Sequence, residues 1–517
     1  MENINILWAD DEIDLLKPHI LFLKEKGYTV KTATNGDDAY EFAKTINFDI
    51  VFLDENMPGI SGLETLVRIK QLDASLPVVM ITKSEEEHIM EDAIGSKIAD
   101  YLIKPVNPNQ LLLTLKKNLD HKRLVREKTN SGYQQEFRNI GMTLSDRLNL
   151  DEWVEMYKKL VYWELEISNN KEDGMAEILT MQKSEANNLF SRFIERNYVN
   201  WLNGKDSNPP VMSHTLIKKK VIPVLDAEES VFFVLIDNLR FDQWKIIQPV
   251  INELFRTEQE DIFFSILPTA TQYARNSIFA GLLPSEIEKR FPNMWMNDED
   301  EGGKNQFESE FLGDQLKRLG RDIKYSYNKI TNHNAGKKLA ESISNLQQNK
   351  LNVIVYNFVD MLSHARTDMD VIRELADDER AYRSITLSWF NHSPLWDIFQ
   401  QIAARKGTIV IATDHGTIRV KNASKLVGDR TVNNNLRYKQ GRNMQWEKNH
   451  VMEVTNPANA YLPKQNISTA FVFAKSDYFF AYPNNFNHYV NHYKDTFQHG
   501  GISLEEMMIP FVVLKAK

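Results

Sequence analysis

The sequence predicts a multidomain α/β protein with a doubly wound parallel sheet, a helical bundle and a second, larger α/β domain. Three observations lead to this prediction. Short apolar runs alternate with helix-length segments over residues 1–120. Over residues 121–220, apolar residues recur every three or four positions without a strand-like run. Strand-like runs return over residues 221–517 and again alternate with helices.

The apolar runs of the first domain are bounded by Gly, Pro, Asp or Asn and read NILWAD, YTVKTA, DIVFLD, PVVMIT and ADYLIK. Helical segments such as DDAYEFAKTI and GLETLVRIKQL separate them. The bundle is indicated by LNLDEWVEMYKKLVYWELEI and EANNLFSRFIERNYVNWL. The buried-strand candidates of the third domain are SVFFVLID, LNVIVYNFVD, GTIVIATDHG, TAFVFA and IPFVVL.

Composition excludes some chemistries and disfavours others. The chain contains no cysteine, so disulfides are excluded and any metal must be held by histidines and carboxylates. The net charge of −9 and the missing basic recognition helix disfavour sequence-specific DNA binding. An acidic N-terminus and the lack of a long apolar run predict a cytoplasmic protein without a signal peptide or a membrane span.

Polar residues stand where four strands of the first domain end. The first strand ends in Asp10 and Asp11, the third in Asp54, the fourth in Thr82 and the fifth in Lys104. The carboxyl ends of parallel strands meet at one edge of a sheet, so these side chains should lie together. Clustered carboxylates suit Mg²⁺, and a lysine with a hydroxyl suits a phosphoryl group. Taken singly, each aspartate could be a turn residue.

The pieces WADDE, VFLDENMPGISG, MITK and DYLIKP resemble the receiver domain of two-component response regulators. The resemblance implies a flavodoxin-like fold in which Asp54 accepts a phosphoryl group from a sensor histidine kinase. It further implies that Asp11, supported by Asp10, binds Mg²⁺ together with Asp54 and the backbone carbonyl of Asn56.

The same resemblance assigns the switch of the receiver. Lys104 would pair with the phosphoryl oxygens, and Thr82 and Tyr101 would form the pair that moves on phosphorylation. Receivers often pair through this surface, so we expect a homodimer when Asp54 is phosphorylated.

The third domain carries carboxylates, imidazoles and one hydroxyl at strand ends and in turns. Three carboxylates and three imidazoles could hold two zinc ions, and a metal can activate a threonine hydroxyl as a nucleophile. Alone, each residue could serve in a turn or lie exposed on a helix. The candidates, in chain order, are Asp237, Thr271, Asp360, His364, Asp414, His415 and His499.

The motifs LIDNLR, PTATQYAR, NFVDMLSH, ATDHG and HGGISLEEMMIP resemble the alkaline phosphatase superfamily, and more narrowly its PglZ type. The resemblance implies an alkaline-phosphatase-like α/β domain with two zinc ions. One zinc ion would be held by Asp360, His364 and His499. The other would be held by Asp237, Asp414, His415 and the oxygen of Thr271.

By the same resemblance, Thr271 attacks phosphorus, and water releases the resulting phosphothreonine. Thr269 is the competing nucleophile, but the family pattern selects the second threonine of the motif. Arg275 and Asn276 lie one turn into the following helix, where they could meet a phosphate oxygen.

The order of receiver, helices and PglZ domain resembles response regulators tied to the type IX secretion system of Bacteroidota, which implies a secretion-system partner. The predicted function is therefore a zinc-dependent phosphodiesterase that phosphorylation of Asp54 controls. A diester is favoured over a monoester because the sequence offers no third metal cluster. The alternatives are a phosphorylation-gated adaptor or a transcription regulator with a structural zinc site.

The segment 425–448 is rich in Arg, Lys and Asn and carries Tyr438 and Trp446. Positive charge with interleaved aromatic residues suits a nucleotide or oligonucleotide substrate. The same composition also fits a solvated, mobile lid.

Overall fold

The computed structural model describes residues 4–73, 76–82, 98–169, 173–298, 300, 302–357, 378–429 and 432–517. The chain forms two compact units, Met1–Gln135 and Glu136–Lys517, which are described separately below. Within the described residues, no helix has the length and apolar character needed to cross a membrane.

The first unit is a parallel sheet with helices, as predicted. Its strands pair in the order β2-β1-β3-β4-β5, and every pair is parallel. The strands are β1 (Asn5–Ala9), β2 (Thr29–Ala33), β3 (Ile50–Asp54), β4 (Val78–Thr82) and β5 (Asp100–Ile103). The helices are α1 (Lys17–Glu25), α2 (Gly36–Thr45), α3 (Gly62–Leu72) and α4 (Pro108–Ser145), and the last of these continues beyond the unit.

Both faces of this sheet are covered by apolar side chains. Along β1, Trp8 points to one core with Phe52, and Leu7 points to the other with Leu53. Because both faces are buried at its centre, the sheet has its apolar strands there: β3 and β4 are buried along their whole length, whereas the edge strand β2 exposes Lys31 and Thr32. In β3 and β4 the polar residues, Asp54 and Thr82, stand at the strand ends.

The second unit combines two long helices with a mixed sheet. The helices are α5 (Leu150–Asn169), α6 (Asp173–Leu202), α7 (Ile222–Ala227), α8 (Phe241–Ile251), α9 (Thr271–Ala280), α10 (Pro284–Arg290), α11 (Glu308–Arg318), α12 (His333–Leu346), α13 (Glu379–His392), α14 (Pro394–Ala403), α15 (Phe486–Tyr493) and α16 (Leu504–Met507). The strands of the main sheet are β6 (Val231–Ile236), β7 (Phe255–Phe264), β8 (Tyr325–Ile330), β9 (Leu351–Tyr356), β10 (Thr408–Ala412) and β19 (Met508–Ala516). The remaining strands are β11 (Ile418–Arg419), β12 (Asn422–Val427), β13 (Tyr438–Gly441), β14 (Gln445–Trp446), β15 (Val451–Val454), β16 (Ala470–Ala474), β17 (Tyr478–Ala481) and β18 (Phe497–Gln498).

The main sheet follows the order β7-β19-β10-β6-β9-β8. Strands β10, β6, β9 and β8 are parallel, whereas β19 runs antiparallel to both of its neighbours. Every residue of β6, β9 and β10 is buried. Adjacent parallel strands bring their carboxyl ends together, so the residues after β6 and β10 meet at one edge.

Helices α5 and α6 confirm the predicted helical linker, and they pack on the C-terminal part of the same unit. The rings of Trp153 and Phe190 lie 5.4 Å apart between centroids, and Phe190 lies 6.3 Å from Phe264 of β7. Trp201 reaches the same Phe264 at 5.8 Å. Aromatic contacts therefore join the linker helices to the main sheet.

The described part of the segment 425–448 includes the end of β12 and the whole of β13 and β14, with irregular residues between them. Strand β12 pairs with β14 and β17, and β13 pairs with β16. Tyr438 is buried and donates its hydroxyl hydrogen to Asp298 at 3.0 Å, so its ring is unavailable for stacking on a base. The indole of Trp446 donates to Glu453 at 3.0 Å.

The burial of Lys439, in β13, predicts an unusual dependence of folding stability on pH. Burial lowers the pKa of this ammonium group to about 7, because its contacts with the carbonyl of Asn433 and the hydroxyl of Tyr482 supply no counter-charge. The unfolded chain then binds more protons than the folded chain above that pKa, and stability rises with pH towards the ordinary lysine pKa. Lys439→Met should flatten this rise by up to ~1.4 kcal/mol per pH unit.

Urea denaturation at about pH 7.5 and about pH 9.5 measures the effect. Lys464 is exposed and provides the matched control, since Lys464→Met should leave the slope unchanged. Equal pH slopes in the wild type and in Lys439→Met would contradict the prediction.

Candidate functional site

The first unit brings two carboxylates and a lysine together at the ends of β1, β3 and β5. The ammonium of Lys104 lies 2.8 Å from Oδ1 of Asp54 and 3.0 Å from Oδ2 of Asp10. Asp10 and Asp54 are buried, whereas Asp11 is exposed. Oxygen atoms of Asp10, Asp11 and Asp54 all lie within 4.8 Å of one another, a donor set that suits Mg²⁺.

The pKa shifts at this site follow from burial and pairing. Burial raises the pKa of Asp54, and Lys104 opposes that rise while the neighbouring Asp10 adds to it. Burial acts to lower the pKa of Lys104, but hydrogen bonds to Asp54 and Asp10 outweigh it and the pKa is raised. Lys104 therefore carries its charge beside the carboxylate that the sequence predicts as the phosphoryl acceptor.

The structure places the predicted switch residues on the strands that border this cluster. Thr82 ends β4, is buried, and donates its hydroxyl hydrogen to Glu55 at 2.9 Å. Tyr101 lies on β5 with 37% of its surface exposed. Asn56 is exposed in the turn after β3.

The second unit brings together Asp237, which follows β6, and Asp414 and His415, which follow β10. Each offers a ligand atom, these atoms lie within 4.8 Å of one another, and all three residues are buried. Nε2 of His415 is 3.9 Å from Oδ1 of Asp237 and 4.0 Å from Oδ2 of Asp414. The backbone amides of Asn238 and His415 donate to Oδ1 of Asp414 at 3.2 and 3.1 Å, which fixes the carboxylate.

Backbone carbonyls orient the two predicted ligand histidines that the structure describes, His415 and His499. Nδ1 of His415 lies 3.1 Å from the carbonyl of Gly416, and Nδ1 of His499 lies 3.1 Å from the carbonyl of Thr269. A carbonyl can only accept, so Nδ1 carries a hydrogen in each ring, and Nε2 is the nitrogen that remains to bind a metal. The two rings stack with centroids 4.2 Å apart.

The two threonines of the motif have different environments. The hydroxyl of Thr271, at the start of α9, lies 3.1 Å from Nε2 of His415 and can donate to it. Thr269 is fully buried; its hydroxyl donates to the carbonyl of Gly501 at 2.9 Å and accepts from the amide of Gly500 at 3.0 Å. Thr269 thus joins two loops, whereas Thr271 faces the carboxylate and imidazole group.

Arg275 lies within the carboxylate group. Its guanidinium pairs with Asp237, donates from Nε to Oδ2 of Asp414 at 2.9 Å, and approaches Oε1 of Glu308 to 3.7 Å. Burial opposes the charge of Arg275, but these three carboxylates outweigh it and hold its pKa well above the ordinary value. The sequence argument expected Arg275 near a phosphate oxygen, and the structure places it on the acidic residues.

The structure also places Asn276 within a local network. Its side chain donates to the carbonyl of Lys304 at 3.2 Å and accepts from Asn305 at 2.9 Å, and Asn305 also donates to the carbonyl of Thr271 at 3.1 Å. Glu308 was not among the predicted site residues. It lies in an ordinary charged helical stretch of the sequence, so no pattern singled it out.

Two predicted zinc ligands, Asp360 and His364, lie outside the described residues, so the structure gives no position for them. His499, the third predicted ligand of that ion, lies beside His415, as their stacked rings show.

A further acidic group in the described residues consists of Glu164, Asp242 and Glu379. Arg240 pairs with Asp242 at 2.5 Å and with Glu379 at 2.6 Å. Arg383 pairs with Glu164 at 2.8 Å and with Asp242 at 3.2 Å. Arginines therefore neutralise this group, and it is an internal ionic network.

Three family models match successive parts of the chain. The response regulator receiver domain matches residues 6–116, and the PorX response regulator linker domain matches residues 123–202. The BREX system PglZ alkaline phosphatase-like domain matches residues 216–514. With the geometry above, these matches define the class: a response regulator that carries an alkaline phosphatase-like domain.

The PglZ model covers more than half of the chain, and the chain belongs to the PglZ alkaline phosphatase-like family. The content and order of its three domains match a PorX-type response regulator.

Similar characterised proteins align with the first part of the chain. The transcriptional regulatory protein ZraR of Klebsiella oxytoca is 34% identical over 140 residues, which are 27% of this chain and 32% of that protein. The transcriptional regulatory protein ResD of Bacillus subtilis is 32% identical over 111 residues, which are 22% of this chain and 46% of that protein. The chain thus spans less than half the length of these relatives.

Among solved structures, a CheY-like receiver domain protein from Methanospirillum hungatei JF-1 is 27% identical. It covers 23% of this chain and 96% of its own, with a TM-score of 0.22. The response regulator TrrA from Thermotoga maritima, in complex with Mg²⁺ and BeF, is 32% identical. It covers 22% of this chain and 99% of its own, with a TM-score of 0.21.

Proposed function

We propose that the protein is a zinc-dependent phosphodiesterase whose activity is controlled by phosphorylation of Asp54. The observation that carries the proposal is the hydroxyl of Thr271, 3.1 Å from Nε2 of His415, at the edge of the buried group formed by Asp237 and Asp414. A hydroxyl that faces carboxylates and an unprotonated imidazole is arranged for nucleophilic attack on phosphorus.

The donor set fits zinc. Carboxylate oxygens and the Nε2 atoms of histidines are ordinary zinc ligands, and hydrogen bonds from Nδ1 to backbone carbonyls are typical of metal-binding histidines. One ion would be held by Asp237, Asp414, His415 and the Thr271 oxygen, and a second by His499 with Asp360 and His364. When bound, zinc would lower the pKa of the Thr271 hydroxyl and stabilise negative charge on the phosphoryl oxygens.

Residues of the chain would have separate roles in transferring the phosphoryl group. The Thr271 oxygen would form the new bond to phosphorus as its hydroxyl proton passes to solvent, while the bond from phosphorus to the alcohol oxygen of the substrate breaks and that oxygen keeps the bonding electrons and takes up a proton from water. Water would then hydrolyse the phosphothreonine, which restores the threonine hydroxyl. In the metal-free protein the hydrogen bond from Thr271 to Nε2 of His415 places the two groups side by side, and with zinc bound both would be ligands of the same ion. Arg275 neutralises Asp237 and Asp414 from the buried side, which keeps the acidic group from repelling an anionic substrate.

A diester is favoured because a monoester carries an additional phosphoryl charge that would need a further cation. The remaining acidic group in the described residues is neutralised by Arg240 and Arg383 and is unsuited to a third metal ion. Nucleotide and oligonucleotide diesters are the substrate class that we would examine first. The exposed Lys425, Arg442 and Lys448 of the segment 425–448 support this choice. Arg437, Tyr438 and Lys439 are buried and cannot contribute.

The test is hydrolysis of bis(p-nitrophenyl) phosphate and of p-nitrophenyl phosphate by chelator-treated protein, with and without added zinc. We expect zinc-dependent release from the diester that exceeds release from the monoester. A panel of cyclic and linear oligonucleotides then identifies the physiological class by product analysis. If the wild type shows no zinc-dependent turnover of any diester, the phosphodiesterase proposal fails.

The receiver supplies the control. We propose that a sensor histidine kinase phosphorylates Asp54, that Asp10, Asp11, Asp54 and the carbonyl of Asn56 hold Mg²⁺, and that Lys104 pairs with the added charge. A link to type IX secretion and a cytoplasmic location are parts of the same proposal, supported by the match to the PorX linker model.

Beryllofluoride, a phosphoryl mimic, should convert the protein to a dimer. Sedimentation velocity with Mg²⁺ should show about twice the monomer mass in its presence, because the modified receiver surface pairs two copies. The variant Asp54→Asn, which cannot hold the mimic in the same way, should remain at the unmodified mass. An unchanged wild-type mass would remove dimerisation from the proposal and leave the hydrolase proposal intact.

A further inference from the structure

Helix α6 directs a stripe of polar side chains at the C-terminal part of its unit. The members are three or four residues apart and therefore share one helix face. A helix face packed against a core is normally apolar, so a row of bonded polar groups is unusual. The stripe consists of Lys183, Asn187, Ser191, Glu195 and Tyr198.

The first part of the stripe holds the segment that follows His499. Oδ1 of Asn187 accepts from the amide of Leu504 at 2.7 Å, and its Nδ2 donates to Oε2 of Glu505 at 3.0 Å. Lys183 pairs with Oε1 of the same Glu505 at 3.3 Å. Asn187 is buried, so both bonds are shielded from water.

Ser191 extends this contact by one turn. Its hydroxyl lies 3.4 Å from the carbonyl of Ile502 and accepts from the amide of Ser476 at 3.2 Å. One turn further along the stripe, Glu195 pairs with Lys475 at 2.8 Å. Side chains of the helix thus contact two neighbouring segments, one at Lys475 and Ser476 and the other at residues 502–505.

Residues 502–505 pack against the metal-binding candidates. A Cβ atom placed on Gly416 would lie 2.1 Å from the carbonyl oxygen of Glu505, so the residue after His415 packs directly on it. The amide of Gly501 donates to Glu506 at 2.9 Å, and this fixes the loop just after His499. A shift of residues 502–505 would therefore displace both histidines.

Tyr198, at the other end of the stripe, holds the turn that carries the candidate nucleophile. Its hydroxyl accepts from the amide of Leu267 at 2.7 Å, and the ring is almost fully buried. From Leu267 the chain passes through Thr269, which bonds to Gly500 and Gly501, to Thr271 at the start of α9.

We infer that Asn187 and Tyr198 are positioning residues, through which helix α6 sets the relative placement of Thr271 and His499. The inference deepens the proposed function, because it identifies how the linker helix would regulate the same site. Removing either side chain leaves a buried backbone amide without its acceptor. A displacement of about 1 Å at reacting groups can lower the rate by about 100-fold even when the mutation is remote.

Hydrogen–deuterium exchange of the metal-free, full-length protein tests the inference without activity. Tyr198→Phe should accelerate exchange in peptides that contain Leu267, and Asn187→Ala should accelerate it in peptides spanning 501–507. The matched controls are Tyr162→Phe, at an exposed tyrosine of α5, and Asn188→Ala, at the exposed neighbour of Asn187. The controls should exchange as the wild type does.

Steady-state kinetics on the bis(p-nitrophenyl) diester provides the second readout. Asn187→Ala and Tyr198→Phe should each lower kcat by about 10-fold or more with little change in KM, because positioning affects the reacting atoms and not general binding. A purely structural role predicts instead a lower melting temperature with wild-type kcat in the folded protein. That result, or wild-type exchange at both peptides, would overturn the inference.

The two readouts separate the inference from the proposed function. If the wild type hydrolyses no diester, the proposed function fails, while local exchange at Leu267 and 501–507 still supports or refutes the positioning role. If the wild type is active and both variants retain its kcat, the positioning role fails alone.

Discussion

Thr271→Ala should lower zinc-dependent diester hydrolysis by about 1000-fold or more, with folding and zinc binding by the remaining ligands largely retained. Among the described residues, Thr271 places its hydroxyl beside Nε2 of His415. Without this hydroxyl, the phosphoryl group cannot be transferred to the chain at this position. Initial rates with the chromogenic diester measure the loss, and circular dichroism with zinc titration checks the fold and the metal content.

Thr269→Ala is the matched control for this prediction. Its hydroxyl is committed to Gly500 and Gly501, so the substitution should weaken the loop contact but keep the nucleophile. We expect a smaller loss of rate than for Thr271→Ala, and Thr271→Ser should keep part of the activity. If Thr269→Ala were inactive while Thr271→Ala stayed active, the roles of the two threonines would be reversed.

Arg275→Met should strongly destabilise the metal-free protein. The substitution removes the cation shared by the buried carboxylates of Asp237, Asp414 and Glu308. Breaking a buried ion group by removing one partner typically costs about 3–5 kcal/mol, because the remaining charges stay desolvated. Urea denaturation in the presence of a chelator measures the loss.

Zinc should restore more stability to Arg275→Met than to the wild type. A bound cation would compensate the charge that the arginine leaves, and ligands that bind only the folded state stabilise it. Arg290→Met, at an arginine whose partner Asp314 lies at the surface, is the control and should have little effect. Equal stability of Arg275→Met and the wild type in chelator would show that the carboxylates do not depend on Arg275.

The fold was largely predictable because both α/β regions follow strong periodic patterns. Apolar runs such as SVFFVLID and GTIVIATDHG predict strands that are buried on both faces, and β6 and β10 are buried along their whole length. The two helical patterns that contain Trp153 and Phe190 likewise correspond to α5 and α6. The local pattern of apolar residues is sufficient to predict an element where each of its faces is either buried or exposed along its whole length.

The candidate site was predictable where its residues follow strands directly. Asp237, Asp414 and His415 come together because β6 and β10 are neighbours in the sheet. Partners supplied by other elements were not visible in the sequence. Glu308 reaches Arg275 from α11, and Tyr198 reaches Leu267 from α6, through contacts between residues far apart in the chain.

The segment 425–448 shows the limit of composition as a guide. Charge and aromatic content indicated either a substrate surface or a mobile lid. In the structure, Tyr438 is the first residue of β13 and is buried against Asp298, and β13 pairs with β16. Composition does not reveal which polar side chains find partners inside the molecule, and that pairing decides whether an aromatic ring is exposed.

The packing of α6 against the main sheet determines where the chain can be cut and joined to other domains. The PglZ family match begins at residue 216, which suggests a module that gene fusion could attach to any receiver. A fragment that began there would expose Phe264 and leave the amides of Leu267 and Leu504 without their side-chain acceptors. We therefore expect natural gene fusions to carry the linker helices together with the PglZ domain. Engineered chimeras should be joined upstream of these helices.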